Sequence, residues 1–421
     1  MSFRACSLMM VACLGTRASL SEPSPLSISS LGSTGWHKVC RSIVRNDSYF
    51  PFIDKHLVKA FVRSRVPGLA VARELRYFDS KAARFNSRRA VRRYSEAVRL
   101  GGGHTLVLKS THMSGGVMLV QPNSTKCLKQ PCRLGGKLSA LGSGRLAPGR
   151  VVTGAAHSRA AQLASCRHWI KLSYGEKTSK ELNSEFKADE RVLYSRVAPG
   201  CLLERAIGGL AEQRDMKLFV FGGRLAFVKV YAKRFQAPGA QKQDSGVNSE
   251  YDVSYFSYPS WTRLRMYESL ALHPFAPQPR PPYLEAMVAD AEALAAGFAS
   301  VRVDFMAQAS TYAFSELTFS HNGCGGGTFM PPALELLYGS LATTGRGLSE
   351  GGSLEEQQVQ LIAEYNLTHA WECDPKRVCT WQHGVEETLT SIGQIFRANP
   401  AGSGQMNRAM TRMARAAGVP L

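Results

Sequence analysis

The stretch VRVDFMAQASTYAFSELTF at residues 301–319 holds two runs of alternating side chains, separated by small residues. Alternation with period two is typical of β-strands, so the stretch predicts a hairpin. In the register that such a hairpin favours, Asp304 lies opposite Glu316 and Arg302 lies opposite Thr318. The segment therefore places two acids and an arginine on one face of a sheet.

Two carboxylates that face each other across a strand pair require an explanation. Their Cβ atoms lie roughly 5 Å apart, and like charges at that separation destabilise a sheet. A cation between Asp304 and Glu316 removes the repulsion, and Mg²⁺ is usually held by one or two carboxylates together with substrate phosphates. The alternative is that each acid points to solvent beside its own lysine or arginine. The same alternation predicts that Phe314 lies on the Glu316 face.

The composition indicates a globular protein with an uneven charge. The chain has 421 residues, 44% of them apolar, which is enough for two or three domains with their own cores. The net charge is +20, and residues 1–200 hold 33 basic and 11 acidic residues, against 19 and 21 in residues 201–421. A basic half indicates an anionic partner, which is a nucleotide, a phosphate group, an acidic glycan or a nucleic acid. A general basic bias is the alternative.

The N-terminal segment is rich in serine and has no acidic residue before Glu22. Its short apolar stretch, SLMMVACLG, is typical of an organelle transit peptide or a weak signal peptide. We favour a transit peptide and treat residues 1–45 as a targeting or disordered segment. No run of about 18 apolar residues occurs, so the sequence predicts no membrane span. Asn123-Ser-Thr and Asn366-Leu-Thr are glycosylation acceptors only if the chain is secreted.

The ten cysteines include no CxxC pair, so a zinc site is not expected. Two pairs are close enough in sequence to be considered as disulfides, namely Cys127 with Cys132 and Cys373 with Cys379. Whether they are oxidised depends on the compartment, which the cysteine spacing does not define.

Hydrophobic periodicity predicts the main helices and strands. Apolar residues recur at helical spacing over 54–66, 88–100 and 282–298, and strand-like apolar runs lie over 104–120, 201–207 and 215–231. Gly222-Gly223 is a hairpin turn between two alternating runs, and Ser353 with Glu356 is a capping box that begins a C-terminal helix. Strands and helices in this order predict an α+β fold with antiparallel sheets.

A basic stretch rich in glycine and serine lies at residues 121–165 and lacks sustained periodicity. We predict that it is a flexible insertion. It interrupts a catalytic region over residues 46–340, and a helical extension follows over residues 341–421.

Lys109 ends an apolar strand and is followed by a loop that contains Ser114, Gly115 and Gly116. Glycines let backbone N–H groups approach phosphates closely, and a lysine adds a compact positive charge. The loop is not a GxxxxGK[ST] motif, and no helix follows it directly. A glycine-rich hairpin without a ligand is the alternative.

Glu204 lies at the end of another apolar strand, CLLE. A carboxylate there can accept hydrogen bonds from an adenine amino group or from ribose hydroxyls. The alternative is that Glu204 caps a loop or pairs with Arg205 or Arg214. A glycine-dense turn at residues 321–332 follows Glu316 and allows a ligand to approach the backbone.

The chain resembles the ATP-grasp superfamily, and within it the TupA-like branch of teichuronopeptide synthesis. The resemblance depends on the order of five pieces, which are DKHLVKAFVRSRV, LVLKSTHMSGG, LLERAI, MKLFVFGGRLAFV and VRVDFMAQASTYAFSELTF. It runs from about residue 52 to about residue 339, interrupted by residues 121–165. It implies two α+β subdomains that clamp ATP between antiparallel sheets.

The resemblance also implies roles for individual residues. The ATP-binding set comprises two phosphate lysines, a mobile phosphate loop, an adenosine-pocket carboxylate and a lysine of the second hairpin: Lys55 and Lys109, then Ser114, Gly115 and Gly116, then Glu204 and Lys217. Asp304 and Glu316 match the Mg²⁺ ligands. Arg302 matches the arginine that stabilises the acyl-phosphate stage, so Arg302 and Lys109 are the expected catalytic residues.

Thr318 departs from the wider superfamily, in which a metal-binding asparagine stands two residues after the last glutamate. The TupA-like branch is similar at this position, so the threonine does not by itself indicate inactivity. It leaves the ligands of a second Mg²⁺ open, with His321 or Asn322 as substitutes.

The resemblance therefore implies an ATP-dependent ligase that activates a carboxylate as an acyl phosphate for attack by an amine. It implies ATP and Mg²⁺ as cofactors, and the branch resemblance implies an acidic acceptor that is an amino acid or a glycan-linked, cell-surface group. One alternative is an ATP-binding protein without catalysis. Another is a binder of nucleic acid or acidic polymers, although nucleic acid is less expected because the basic residues lack regular aromatic interleaving.

Overall fold

The structure is a computed structural model that describes residues 35–79, 88–112, 116–129, 132–133, 145–146, 151–153, 158–171, 188–208, 213–232, 252–264, 278–324, 332–348 and 352–369. Its α-helices are, in chain order, α1 (Trp36–Arg45), α2 (Phe50–Ile53), α3 (Val58–Arg65), α4 (Arg88–Leu100), α5 (Arg159–Lys171), α6 (Ala188–Ser195), α7 (Leu284–Ala295), α8 (Pro332–Thr344) and α9 (Leu354–His369). Short 3₁₀ turns lie at Asp47–Tyr49 and His321–Cys324.

The strands are, in chain order, β1 (Glu74–Asp79), β2 (Leu106–Ser110), β3 (Val117–Val120), β4 (Thr125–Lys129), β5 (Cys132–Arg133), β6 (Arg145–Leu146), β7 (Val151–Val152), β8 (Gly200–Arg205), β9 (Arg214–Phe221), β10 (Arg224–Ala232), β11 (Asp252–Phe256), β12 (Arg263–Leu264), β13 (Ser300–Ala307) and β14 (Tyr312–Thr318). The first sheet has the order β1-β8-β2-β3-β4-β7, and the second has the order β12-β11-β10-β9-β13-β14. Neighbouring strands in both sheets are antiparallel. The predicted α+β fold with two antiparallel sheets is confirmed.

One hydrophobic core includes side chains from both sheets, such as Leu108 of β2 and Phe305 of β13. Phe298 lies between Phe52 of α2 and Phe319, the residue after β14, with ring centroids 5.0 Å from each. Edge-to-face aromatic packing of this kind adds to the stabilisation from apolar burial. It fixes α2 against the β13–β14 hairpin.

The β13–β14 hairpin has the predicted register, with Asp304 opposite Glu316 and Arg302 opposite Thr318. The pairing shifts after Asp304, because Phe305 pairs with Phe314 and Ser315 is the extra residue of a β-bulge. Paired residues share a face, so the bulge places Phe314 on the face opposite to Glu316. The prediction that these two side chains share a face is therefore wrong.

Two segments that were predicted to lie outside the packed fold contain residues that belong to it. Trp36 and Val39 of α1 are buried and α1 packs against α8, so part of residues 1–45 belongs to the fold. The predicted flexible insertion at 121–165 contains β4, which extends the first sheet, and the start of α5, whose Gln162 is fully buried.

Several local predictions are confirmed. The β9–β10 hairpin turns at Gly222 and Gly223, whose φ angles of 55° and 76° suit glycine. Ser353 and Glu356 form the capping box of α9, since the Glu356 N–H donates to Ser353 Oγ and the Ser353 N–H donates to the Glu356 carboxylate. The helix predicted over 54–66 begins only at Val58, because Asp54 accepts from two following backbone N–H groups and holds a turn there.

Disulfides connect distant parts of the chain. Cys40 of α1 is bonded to Cys324, and Cys166 of α5 is bonded to Cys201 of β8. Cys127 is also disulfide-bonded. The possible pair of Cys373 and Cys379 lies outside the described residues.

Among the described residues, no helix is both long and apolar enough to cross a membrane.

Candidate active site

A buried cluster of lysines surrounds Glu204 on the first sheet. Glu204 is the penultimate residue of β8, opposite Val107 of β2, and it contacts the ammonium of Lys109, two residues further along β2. The Lys59 ammonium, from α3, donates to the second Glu204 carboxylate oxygen at 2.5 Å. Each of the three residues has at most 8% of its surface exposed. The carboxylate thus pairs with two lysines, and not with Arg205 or Arg214.

Burial and charge act in opposite directions on this cluster. Burial favours the neutral form of Glu204, but Lys109 and Lys59 outweigh it and hold the pKa of Glu204 below its ordinary value. Burial lowers the pKa of Lys59, with the Glu204 charge opposing that change. A carboxylate kept ionised in a dry site is a strong hydrogen-bond acceptor, as recognition of an adenine amino group or a ribose hydroxyl requires.

Lys55 lies at the edge of the same cluster. It precedes α3, it is 5% exposed, and its ammonium donates to the Ser110 carbonyl at 3.2 Å. Burial lowers the pKa of Lys55, while the charge of Glu316 acts to raise it. The charge of Glu316, on the second sheet, therefore acts on Lys55 in the first cluster.

The predicted phosphate loop begins where β2 ends. Gly116 has a φ of 68°, and a Cβ there would come within 3.0 Å of the Trp169 ring. His112 supports this end of the sheet, because its Nδ1 accepts from the Gly200 N–H at 3.3 Å and its Nε2 donates to the Trp169 carbonyl at 3.0 Å. Ser114 and Gly115 lie outside the described residues, so their predicted role stays a prediction.

A second ionic cluster lies on β9, β13 and β14. Asp304 is fully buried opposite Lys217, whose ammonium donates to Asp304 Oδ2 at 2.6 Å. Lys217 also lies 3.1 Å from Asp215 Oδ1. Burial lowers the pKa of Lys217, and the Asp304 charge opposes it. The row of paired residues continues from Asp304 to Glu316 on β14.

Arg302 contacts four side chains of β13, β14 and the turn that follows. Its Nε and Nη2 donate to the two Asp304 oxygens at 2.6 and 2.7 Å, and Nη2 also donates to Thr318 Oγ1 at 2.9 Å. Its Nη1 lies 2.6 Å from His321 Nδ1, and Glu316 Oε1 is 3.6 Å from Nη2. Burial acts to lower the pKa of Arg302, but Asp304 outweighs it and raises that pKa. The guanidinium is thus held charged and in one orientation.

The segment after α3 links the two clusters. Val71 bridges to Phe314 of β14, and the Phe314 N–H donates to the Ala70 carbonyl at 2.8 Å. Two residues later, the Ala72 carbonyl accepts from the Lys59 ammonium at 3.2 Å. This short segment therefore contacts β14 on one side and the lysine cluster on the other.

The residues fit a magnesium ion held jointly with a substrate. Asp304 and Glu316 are paired in register across β13 and β14, and the Glu316 side chain is 32% exposed. Within the described part of the chain, no group of three or more histidine, cysteine or acidic side chains could hold a metal alone. Mg²⁺ commonly takes one or two carboxylates and completes its shell with phosphates and water. His321 contacts Arg302, and the Asn322 side chain lies outside the described residues.

Sequence reasoning missed Lys59 and Asp215. Lys59 lies four residues after Lys55 among apolar residues of α3, and that spacing is the signal for a second buried lysine. Asp215 lies two residues before Lys217, on the same strand face, so alternation marks it. Lys229 of β10 is a third residue that sequence reasoning missed. It is paired with Lys217 in register and is 1% exposed beside the Tyr255 ring.

No protein-family model matches this chain, and no curated protein matches it either. Among solved structures, the chain is similar to the D-cycloserine synthetase DcsG, at 12% identity over 71% of this chain and 72% of that one, with a TM-score of 0.36. It is also similar to the D-alanine–D-alanine ligase of Bacillus anthracis in complex with ATP, at 12% identity over 65% and 56%, with a TM-score of 0.30. A third is the ATP-grasp ligase PsnB with a minimal precursor, Mg and ADP, at 14% identity over 66% and 53%, with a TM-score of 0.26.

The chain spans about half the length of PsnB and of the alanine ligase. Similarity at this level does not carry an activity from those proteins to this chain.

Proposed function

We propose that this chain is an ATP-grasp ligase that uses ATP and Mg²⁺ to join a carboxylate to an amine. The observation that carries the proposal is the presence of two buried ionic clusters, one on each sheet, which are linked through the segment after α3 and through the Glu316 charge that acts on Lys55. One cluster offers lysines around Glu204, and the other offers two opposed carboxylates with Arg302 and Lys217. Such a pair suits a phosphate-bearing substrate that enters between the sheets.

In this proposal the first cluster binds the nucleotide. Lys109 and Lys55 donate to phosphate oxygens, and the ionised Glu204 accepts hydrogen bonds from the nucleoside. Lys59 keeps Glu204 ionised and oriented and so acts through it. Lysine is suited to phosphate as a compact charge on a flexible stem.

The second cluster then performs the chemistry. The terminal phosphoryl group moves from ATP to an oxygen of the acceptor carboxylate, and ADP leaves. The amine nitrogen attacks the acyl carbon, phosphate leaves, and the amine loses a proton. Arg302 and Lys217 offset the charge on the transferring group, which is the main contribution that a protein makes to phosphoryl transfer. Mg²⁺ bound by Asp304 and Glu316 would supply further positive charge to the ATP oxygens.

The acceptor that we propose is an acidic group, either an amino acid or a glycan-linked uronic acid. The support is the TupA-like order of the sequence pieces, together with the basic excess of residues 1–200. The amine partner and the chemical identity of the acceptor are left to the assay below.

The direct test uses the purified chain, ATP and MgCl₂. A ligand that binds only the folded state raises the melting temperature by mass action, so Mg²⁺ with ATP is expected to raise it and EDTA to reduce the shift. Glu316→Gln removes one charge from a partly exposed side chain and is expected to reduce the shift while leaving the ligand-free melting temperature near that of the wild type. Unchanged melting curves with ATP, ADP and a non-hydrolysable analogue at millimolar levels would exclude nucleotide binding.

Turnover is then measured as ADP release across pools of amino acids and uronic acids. Acceptor-dependent release supports the ligase. The second candidate is a nucleotide-binding protein without catalysis. Thr318 supports it, because this residue stands where the wider superfamily has a metal-binding asparagine, and its hydroxyl accepts a hydrogen bond from Arg302. That candidate predicts a full thermal shift with no acceptor-dependent ADP release.

A further inference from the structure

The turn between β3 and β4 exposes Asn123, the first residue of an Asn-Ser-Thr sequence. The turn is closed by a hydrogen bond from the Gln121 N–H to the Ser124 carbonyl at 2.9 Å, and a second bond joins their side chains at 2.7 Å. Asn-x-Ser/Thr is an acceptor for N-linked glycan where it lies in a surface turn. The geometry of this turn meets that requirement.

The third residue of the motif has a different environment. Thr125 is fully buried at the start of β4, and its hydroxyl accepts from the Gln162 side chain at 3.0 Å. The folded chain therefore hides the hydroxyl that the modifying enzyme reads, and the sugar has to be added before β4 joins the sheet. The competing explanation is that the Asn-Ser-Thr sequence serves only the hydrogen bond between Thr125 and Gln162 and carries no glycan. The experiment below separates the two explanations.

Asn123 lies at the opposite end of β3 from the predicted phosphate loop. β3 starts at Val117, opposite Lys109, and ends at Val120, opposite Leu106. Three residues of strand advance the chain by about 10 Å. Asn123 lies beyond that far end, so more than the length of β3 separates it along the chain from Val117, the partner of Lys109.

An independent observation points to the compartment in which such a glycan is added. Cys40 and Cys324 are both fully buried and bonded across a separation of 284 residues, and Cys166 and Cys201 are both fully buried and bonded across 35 residues. Their Cα atoms are 5.4 and 5.6 Å apart, within the usual range for disulfides. Structural disulfides of this kind form and persist in oxidising compartments.

We propose that Asn123 carries an N-linked oligosaccharide and that the chain folds in an oxidising lumen, which requires the N-terminal segment to be the signal peptide and not the transit peptide favoured from the sequence. In the transfer step, the Asn123 amide nitrogen forms a bond to the anomeric carbon of a lipid-pyrophosphate-linked oligosaccharide. The sugar–oxygen bond to the pyrophosphate breaks, and the amide loses a proton. Each disulfide forms as two thiols give up two electrons and two protons to the disulfide of a thiol–disulfide oxidoreductase.

The test uses the full chain, tagged at its C-terminus and isolated from the cells that make it. Free thiols are alkylated during denaturing lysis, before any reductant is added. The protein is then treated with peptide-N-glycosidase in heavy-oxygen water, and its peptides are analysed by mass spectrometry. The expected result is labelled aspartate at position 123, with Cys40, Cys324, Cys166 and Cys201 alkylated only after reduction.

Matched variants assign the signal. Asn123→Gln is expected to abolish the glycosidase-dependent change in gel mobility at this site. Thr125→Ser keeps both the motif and a hydroxyl for Gln162, so it is expected to retain the change. Asn366→Gln removes another Asn-x-Ser/Thr sequence of the chain and is expected to leave the label at position 123 intact. An unmodified Asn123 peptide, or alkylation of the four cysteines before reduction, would overturn the proposal, whatever the ligase assay shows.

Discussion

The Lys59 ammonium lies 2.5 Å from a Glu204 carboxylate oxygen, and both side chains are at least 95% buried. The two residues are 145 positions apart in the chain and belong to α3 and β8. Taking two charges out of water is costly, and such a pair is tolerated only where further polar contacts complete it. Here Lys109 and the Ala72 carbonyl are those contacts.

Lys59→Met is expected to lower the free energy of unfolding by about 3 kcal/mol, the lower end of the usual range for breaking a buried pair, because Lys109 still faces Glu204. Lys126→Met, on β4 of the same sheet and half-buried, is the control and should change stability by less than about 1 kcal/mol. Urea unfolding of both variants measures the difference. Equal effects would mean that the Lys59–Glu204 contact adds nothing.

The depressed pKa of Glu204 predicts a pH dependence of stability. The folded state binds the Glu204 proton less readily than the unfolded chain, whose glutamates titrate at about pH 4.3. This stability is therefore fully present above that pH and is lost as the pH falls through the lower folded-state pKa. Glu204→Gln removes the titrating group, so its unfolding free energy should fall less steeply from pH 6 to the acid limit of folding than that of the wild type. Parallel curves would show that Glu204 has no altered pKa.

Arg302→Ala is expected to reduce kcat by on the order of 10²–10³, the usual effect of losing one preorganised charge-stabilising group. Binding of ATP should weaken less, because contacts that form in the transition state act on rate and not on ground-state affinity. Arg224→Ala, at an exposed position on β10 of the same sheet, is the control.

Asp304→Asn should differ from Arg302→Ala by impairing binding of Mg²⁺ with ATP and turnover together. Calorimetric binding and ADP release separate the two variants. Near-normal turnover in Arg302→Ala would remove the role proposed for the guanidinium, since a merely structural ion pair with Asp304 would leave the rate intact.

Gly222 and Gly223 offer a matched pair for backbone strain. Both have positive φ angles, so alanine at either position costs about 1–2 kcal/mol. A Cβ at Gly223 meets nothing within 4 Å, whereas one at Gly222 would lie 2.2 Å from the Leu341 carbonyl oxygen of α8. Gly222→Ala is therefore expected to destabilise the protein clearly more than Gly223→Ala, as measured by thermal unfolding. Equal destabilisation would show that α8 adjusts freely at this contact.

The local features of the fold could be predicted from the sequence. Alternation over 301–319 predicted the pairing of Asp304 with Glu316, and the strand before Lys109 was predicted from its apolar run. The capping box at Ser353 was predicted from two residues three positions apart. These features follow from backbone periodicity and short-range hydrogen bonds, which neighbouring residues determine.

Only the tertiary structure decided which distant charges meet. That Lys59 contacts Glu204, and that the Glu316 charge acts on Lys55, depends on the order of strands in two sheets and on how those sheets face. The bulge at Ser315 was likewise decided by pairing, because one extra residue on β14 leaves the alternation of the sequence unchanged while it reverses the face of Phe314. The physical reason is that a strand pattern specifies which side chains share a face, whereas sheet order and packing specify what that face meets.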